Sequence, residues 1–385
     1  MRVGIVGGQL QGMEAAYLAS QAGFEVALID KDPFAPARSL VEHFYHLDLL
    51  SGGDGAKALL KEFDLILPAT ENYRTLVWLD DAARRFHVPL ALDLPSYSIS
   101  SSKIKSNRLF SAAGIPMPKP WPDCGLPSIF KPSSLSGSTG VVKVKDNAHL
   151  NALMADSHGD AVIQQYLAGP SYSLEVLAHK GTSLCFQVTK LEFDPGYDCK
   201  RVLAGPNTGN DIAEAFYDIG ERIAAALVLS GIMDIEVIDT HNELKVLEID
   251  ARLPSQTPSA VYHSTGVNMV KLLADYWISG TLPSIKLSPR PKRAVIYEHL
   301  RLKNGVLEVA GEHILTNAQG LRLYEDIFSA NIFISNFEQF PENWVATAIF
   351  VRDTEPQVWE ARNQAIEQLQ ETFTAREFLD PEPFE

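Results

Sequence analysis

The segment from Met233 to Arg252 constrains this chain more than any other. Two β-rich runs, Ile232 to Ile238 and Leu244 to Ile249, flank the polar turn Thr240-His241-Asn242, which is a hairpin pattern. Side chains alternate along a strand, so Asp234 and Glu236 share one face, and so do Glu248 and Asp250. If the strands pair, up to four carboxylates converge, with Arg252 just beyond them. Such a face is either an ordinary solvated surface or a set of hard oxygen ligands. The second suits Mg²⁺, which takes one or two carboxylates together with substrate phosphates. What the rest of the chain brings to the hairpin decides between them.

The first thirty residues read as strand, glycine turn, helix and strand, a βαβ unit. The turn Gly7-Gly8-Gln9-Leu10-Gln11-Gly12 is not a dinucleotide fingerprint, because Gln9 stands where G-x-G-x-x-G needs glycine. It still leaves backbone N–H groups at a helix start, which suits an anionic group or serves only packing. A buried strand at 63–67, a helix at 73–86 and a short strand at 89–92 continue a doubly wound pattern. Ligands bind at the carboxyl ends of such strands. Gln9, Leu10, Gln11, Asp30, Asp48, Glu71 and Asn72 are therefore candidate pocket-rim residues, with Glu71 foremost because it directly follows a strand.

Residues 96–102 read as a Ser-rich connector, and a helix opens at Lys103 and stops at Gly114 and Pro116. The strand 128–131 ends in Lys131 and runs into the loop Ser136-Gly137-Ser138-Thr139-Gly140. Glycines let backbone approach phosphate oxygens, and the lysine supplies a point charge. No G-K-[ST] follows, so the loop is not a Walker A motif. A strand leads into Gln164-Gln165-Tyr166-Leu167, and another at 171–178 carries Glu175. Residues 194–211 read as a long loop, 216–229 as a helix and 253–258 as a polar loop containing Ser255, Gln256 and Thr257. Strands dominate 294–350, Glu298 and His299 among them, and a final helix covers 356–374.

A chain of 385 residues suggests two or three domains, and 46% hydrophobic content supports a large core. The net charge of −15 disfavours nucleic acid or an anionic membrane as main partner, since both need a basic footprint. Cys124, Cys185 and Cys199 have no C-x-x-C spacing and form no disulfide or zinc framework. With no signal peptide and no membrane-length apolar run, the expected location is the cytoplasm. A homo-oligomer is compatible with all of this.

Four features stand in one order: Lys103 opening a helix, Lys131 before its Ser/Gly loop, the 164–167 strand end, and Glu248-Ile249-Asp250-Ala251-Arg252. This order resembles the ATP-grasp superfamily. Residues 248–252 resemble its E-x-N-x-R element, 164–170 its adenine-binding hinge, and 131–140 its second lysine and phosphate loop. Residues 8–19, 197–199, 231–239, 246–258 and 297–300 bring the chain closer to one branch, the pyrrolysine-biosynthesis ligases. The resemblance implies an α/β ATP-grasp fold with an N-terminal Rossmann-like (pre-ATP-grasp) domain. The expected boundaries are 1–95, 96–170 and 171–385.

The implied activity is ATP- and Mg²⁺-dependent isopeptide formation between (3R)-3-methyl-D-ornithine, or D-ornithine, and L-lysine through an acylphosphate. Lys103, Lys131 and residues 136–140 would then bind phosphates, and Gln164 to Leu167 the adenine. Glu248 and Asp250 would hold Mg²⁺ with Asp234 or, ranked next, Glu236. Arg252 would stabilise transferring phosphoryl and oxyanion charge. Ser255, Gln256 and Thr257 would hold substrate carboxylate or amine, and Glu71, Glu175, Asp30 and Glu298 the substrate ammonium groups. Two departures stand out. Ser171 occupies the place where D-alanine–D-alanine-type members carry a ribose-binding glutamate, which passes that role to Glu175 or elsewhere; Asp250 replaces the usual asparagine. The rivals are another ATP-grasp carboxylate–amine ligase (dipeptide or purine-pathway), a dinucleotide-dependent oxidoreductase, and a non-catalytic nucleotide-binding regulator.

Overall fold

The computed structural model describes residues 1–135, 137–156, 160–241, 243–282 and 292–383. Among these residues the strands form three sheets, falling in 2–68, 128–165 and 171–379. Asn242 of the hairpin turn and Ser136 of the Ser/Gly loop lie outside the described residues.

The first sheet is parallel, in the order β3 (His43–His46), β2 (Glu25–Asp30), β1 (Arg2–Val6), β4 (Leu65–Pro68). β1, β2 and β4 carry apolar runs without alternation because both faces are covered, while the edge strand β3 is partly exposed. Val3, Ile5, Leu28 and Leu65 pack with Met13 and Leu18 of α1 (Leu10–Gln21). Val6, Ile29 and Ile66 pack with Leu59 of α2 (Gly53–Leu60) and with Leu76 and Leu79 of α3 (Tyr73–Phe86). The β1–α1 turn requires glycine at position 7: φ is +105°, and a Cβ there would lie 2.2 Å from Ala69 O. Strand order puts the loops after β1, β2 and β4 on one edge.

Two expectations fail just beyond this sheet. Residues 89–92 make only an isolated bridge, Leu90 to Ile66, instead of a strand. The Ser-rich stretch is largely a helix, α4 (Leu94–Ser100). Asp93 caps it, accepting from Ser96 N at 3.1 Å and Ser96 Oγ at 2.7 Å, and Pro95 pre-sets its first turn.

The Lys103 helix is α5 (Lys103–Ala112). A small antiparallel sheet follows, with β5 (Ser128–Pro132) between β6 (Val142–Val144) and β7 (Ala161–Gln165), and α6 (Asn147–Asp156) packs against it. The largest sheet starts with β8 (Ser171–His179), β9 (Thr182–Cys185), β10 (Thr189–Phe193) and β11 (Cys199–Ala204). After α7 (Ala213–Leu227) come the hairpin β12 (Gly231–Asp239) and β13 (Leu244–Asp250), then α8 (Thr257–Thr265) and α9 (Met269–Ser279). It is completed by β14 (Ala294–Lys303), β15 (Val306–Val309), β16 (Arg322–Ile327), β17 (Ala330–Ser335), β18 (Trp344–Arg352), α10 (Glu355–Thr372) and β19 (Glu377–Leu379). The long path is β13-β12-β8-β10-β11-β14-β18-β17-β16.

Here β11 corrects the long loop expected at 194–211. Its Lys200 and Arg201 break the apolar pattern that marks a buried strand, yet both are buried because carboxylates meet them. The polar loop at 253–258 is likewise shorter than expected, since α8 begins at Thr257 with Pro258 in its first turn.

Candidate functional site

Pairing of β12 with β13 sets Asp234 opposite Asp250 and Glu236 opposite Glu248. On the other side of β12, Glu175 of β8 stands opposite Asp234. The alternate residues Met233, Ile235 and Val237 pack under Phe216 and Ile223 of α7, so the hairpin has one apolar and one acidic face. Burial pushes Asp234 and Asp250 well above the usual carboxylate range; Asp250 adds to the shift of Asp234, Glu248 to that of Asp250, and Arg252 opposes both. Burial, then Glu248, raises Glu236 to about 7 against the pull of Lys131. Asp234 Oδ1 is buried with no hydrogen-bond partner.

Such a face fits a divalent cation: hard oxygens, excess negative charge and an orphaned buried acceptor. Among the described residues no three His, Cys, Asp or Glu side chains already converge on one point, so the carboxylates stand apart along the face. Ligands beyond the protein would complete the set.

Two lysines meet that face. Lys103 Nζ donates to Glu248 Oε1 and to Leu135 O, each at 2.7 Å. Burial lowers Lys131, while Glu248 and Glu236 favour its charged form. The described part of the Ser/Gly loop crosses toward the large sheet: Ser138 Oγ donates to Tyr197 O at 2.6 Å, and Gly137, with φ +57°, lies against His313. In the hinge, Gln165 N–H donates to Lys119 O at 2.8 Å and Tyr166 N–H to Pro127 O at 3.3 Å; Lys143 Nζ sits 3.7 Å from the Tyr166 ring centre. Gln164 is buried in β7.

A cavity of about 520 Å³ lies between the first sheet's loop edge and the end of β13. It brings together Gln9, Leu10, Gln11, Asp30, Asp48, Glu71, Asn72, Arg252 and Ser255, all singled out from sequence. Arg252 bridges the two sides by pairing with Glu71 and, at 3.0 Å, with Asp250. Gln11 Nε2 donates to Leu253 O at 2.6 Å, and Asp30 accepts from Gly8 N at 2.6 Å and Asp32 N at 2.8 Å. These two residues therefore also shape the wall.

Others fall elsewhere. Glu298 is a correction: fully buried in β14, its carboxylate takes Arg201 Nε at 2.9 Å and Arg362 Nε at 2.9 Å, so it has no capacity left for a substrate ammonium. His299, beside it, is buried with Nδ1 3.0 Å from Thr347 Oγ1. Gln256 and Thr257 are buried where α8 starts, behind the cavity, with their polar groups toward Glu312 and Glu175. Glu175 is fully buried, and burial raises it to about 7.

Sequence reasoning missed Glu312, His313 and Thr316, which line the cavity from the turn after β15. Ser255 Oγ donates to Glu312 Oε2 at 2.7 Å. The available signal was Gly311-Glu312-His313 interrupting a run of strands.

The chain is similar to known proteins in sequence and fold. The profile of the ATP-grasp domain matches residues 100–256. The chain is 34% identical to the 3-methyl-D-ornithine–L-lysine ligase of Methanosarcina mazei over 372 residues, covering 96% of each protein. It is 36% identical to the Methanosarcina acetivorans ligase of the same description over 336 residues, 87% of this chain and 89% of that one. Among solved structures, an ADP complex of N5-carboxyaminoimidazole ribonucleotide synthetase superposes with a TM-score of 0.69 at 16% identity, covering 96% of this chain and 97% of the other. An L-amino acid ligase from Bacillus licheniformis gives 0.68 at 16%, covering 95% and 97%.

Proposed function

The chain belongs to the ATP-grasp enzymes and, within them, to the family of the 3-methyl-D-ornithine–L-lysine ligases; on that premise we propose that it joins the carboxylate of (3R)-3-methyl-D-ornithine to the ε-amine of L-lysine in pyrrolysine biosynthesis. ATP activates the carboxylate as an acylphosphate, releasing ADP. The lysine amine then displaces phosphate. One observation carries the substrate assignment: the likeness to the curated ligases spans 96% of both chains. It therefore includes the N-terminal segment whose loops line the cavity, beyond the 100–256 nucleotide-binding stretch.

The residues take roles that follow from their surroundings. Lys103, Lys131 and the Ser/Gly loop would bind ATP phosphates, and the 164–167 segment the adenine. Glu248 and Asp250 would hold Mg²⁺, which when bound neutralises phosphate charge and keeps the carboxylates ionised. For the third ligand we favour Glu236 over Asp234: Glu236 feels Lys131 and Lys103, whereas Asp234 feels Asp250, Arg252 and Glu175. Arg252 would stabilise charge on the transferring phosphoryl group and the later oxyanion. Catalysis of this kind is mostly positioning and electrostatics. Glu71, Asp30 and Asp48 make the cavity acidic, which suits two amino acids that each carry a side-chain amine. The division at 95 and 170 and a cytoplasmic location belong to the same proposal; among the described residues no helix is long and apolar enough to cross a membrane.

The test is incubation with Mg-ATP, L-lysine and D-ornithine or its 3-methyl form. ADP release with a lysine–ornithine condensation mass is expected. A second reading, another amino-acid ligation, draws on the shared fold of the L-amino acid ligase. ADP release only with other amino-acid pairs or with purine precursors would overturn the assignment.

A further inference from the structure

A histidine–aspartate pair stands in the cavity wall, and nothing above uses it. His313 sits in the short 3-10 turn Glu312–Leu315. Its Nδ1 lies 2.8 Å from Asp198 Oδ2, and its backbone N–H donates to the same oxygen at 3.0 Å. Asp198 is itself held, since its N–H donates to Asp194 Oδ1 at 3.0 Å while Gly311 N–H donates to Asp194 Oδ2 at 3.1 Å. One carboxylate thus fixes the ring's orientation and tautomer. The proton stays on Nδ1, and the Nε2 lone pair points away from Asp198.

That Nε2 edge faces the loop assigned to the phosphates. A Cβ placed on Gly137 would sit 2.5 Å from Nε2. The side chain is 43% exposed, and it lines the same cavity as Arg252, Glu71 and Ser255. Other bases in that wall are engaged: Glu71 with Arg252, Glu312 with Ser255, Asp30 with two backbone N–H groups and Asp48 with Leu50 N.

The second half-reaction needs a base here. An ε-ammonium, with an ordinary pKa of about 10.4, has no lone pair at neutral pH. We propose that His313 is the general base that deprotonates the attacking ammonium of the amine substrate, with Asp198 as its positioning residue; this rests on the ligase reading above. Nε2 takes one proton from the ammonium. The freed amine attacks the acyl carbon of the acylphosphate, the C–N bond forms, and the C–O bond to phosphate breaks with its electron pair leaving on phosphate. The nitrogen's second proton leaves with phosphate, and the imidazolium returns its proton to solvent. The groups facing the ring are Asp198 and Asp194 from the loop between β10 and β11, Glu312 from its own turn and His299 from β14. The Asp198 hydrogen bond, aided by Glu312 and Asp194, holds His313 above the ordinary histidine value against burial.

The experiment divides the reaction at the acylphosphate. Wild type and His313→Gln are given Mg-ATP, D-ornithine and hydroxylamine, with L-norleucine filling the lysine site without an ε-amine. Both should form the hydroxamate, which also reports that the variant is folded. With L-lysine in place of norleucine and hydroxylamine, ligation by His313→Gln should fall by about 10²–10⁴-fold. Wild-type ligation should rise with pH through the His313 titration, and Asp198→Asn should move that limb to lower pH. Three results would overturn the inference: loss of hydroxamate together with ligation in His313→Gln, ligation within about threefold of wild type, or an unmoved limb in Asp198→Asn. Hydroxamate absent from wild type as well, with no lysine–ornithine product, would instead sink the ligase reading.

Discussion

Two charge clusters lie on the same large sheet, and they are built on opposite rules. Across β11, β14 and α10, Lys200, Arg201 and Arg362 meet Glu192, Glu298 and Asp380. Arg201 Nη1 reaches Glu192 Oε2 at 2.6 Å, its Nη2 reaches Asp380 Oδ2 at 2.6 Å, Arg362 Nη2 reaches Asp380 at 3.0 Å, and Lys200 Nζ reaches Asp380 Oδ1 at 2.7 Å. Cations and carboxylates match, and the bonds tie the segment after β19 to the sheet. On the hairpin, Asp234, Glu236, Glu248, Asp250 and neighbouring Glu175 outnumber Lys103, Lys131 and Arg252, and buried oxygens on Asp234 and Glu175 lack partners. Burying an uncompensated charge is costly, so a folded chain keeps one where a ligand will compensate it. The balanced cluster is architecture, and the unbalanced one is a site.

The contrast breaks if the two respond alike to neutralisation. Glu248→Gln should lower kcat by about 10³-fold, the scale of losing one charge-stabilising group. Its denaturation midpoint should move little, because Lys103 loses a partner while Glu236 loses a repulsion. Glu298→Gln should do the reverse. It leaves two buried guanidinium groups short of a counter-charge, at a cost of about 3–5 kcal/mol in unfolding free energy by denaturant titration. Turnover per folded molecule should stay near wild type. Equal activity losses in the two variants would place Glu298 back among the functional residues.

The same contrast explains what could be read before the fold was known. The acidic face follows from strand alternation alone, and Lys103, Lys131 and the loop edge of the first sheet follow from local pattern. Pairing identity is a long-range fact. Nothing local distinguishes Glu298, whose partners lie 97 and 64 residues away, from a carboxylate free to take a substrate amine. β11 was hidden for the same reason, because its charges look like loop charges until Asp380 arrives from the end of the chain. Glu312 and His313 are brought to the cavity by a turn that carries no motif.

The clusters should also differ in the sign of their pH dependence. Glu236 titrates near 7 folded against 4.5 ordinarily, so between those values the native state holds a proton that the unfolded chain has released. Metal-free stability should therefore fall from about pH 4.5 to pH 7, by roughly 1–3 kcal/mol. Glu236→Gln should flatten that fall, and Mg²⁺ should offset it. Burial pushes Asp380 up, but Arg201 and Lys200 outweigh it and hold the carboxylate below 3.8. Its contribution is present above that value and is lost as pH drops through the lowered one, so Asp380→Asn should remove an acid-side loss. Thermal melts across pH with both variants read the two slopes separately.

The smallest expected difference lies within the acidic face. Glu236 and Glu248 are cross-strand neighbours beside the two lysines, while Asp234 and Asp250 are neighbours beside Arg252 at the substrate cavity. Mg²⁺ would be held near the lysines that would take the phosphate charge, and Asp250 also feels Lys103. Glu236→Gln should therefore raise the Mg²⁺ concentration needed for half-maximal turnover by about 10–100-fold, the range seen when a metal site loses supporting charge. Asp234→Asn should leave that requirement within a few-fold and act on the amino-acid KM, since the charge it removes acts on Arg252 at the cavity. A Mg²⁺ titration of both variants decides the order, and a larger metal defect in Asp234→Asn would give Asp234 the third ligand's place.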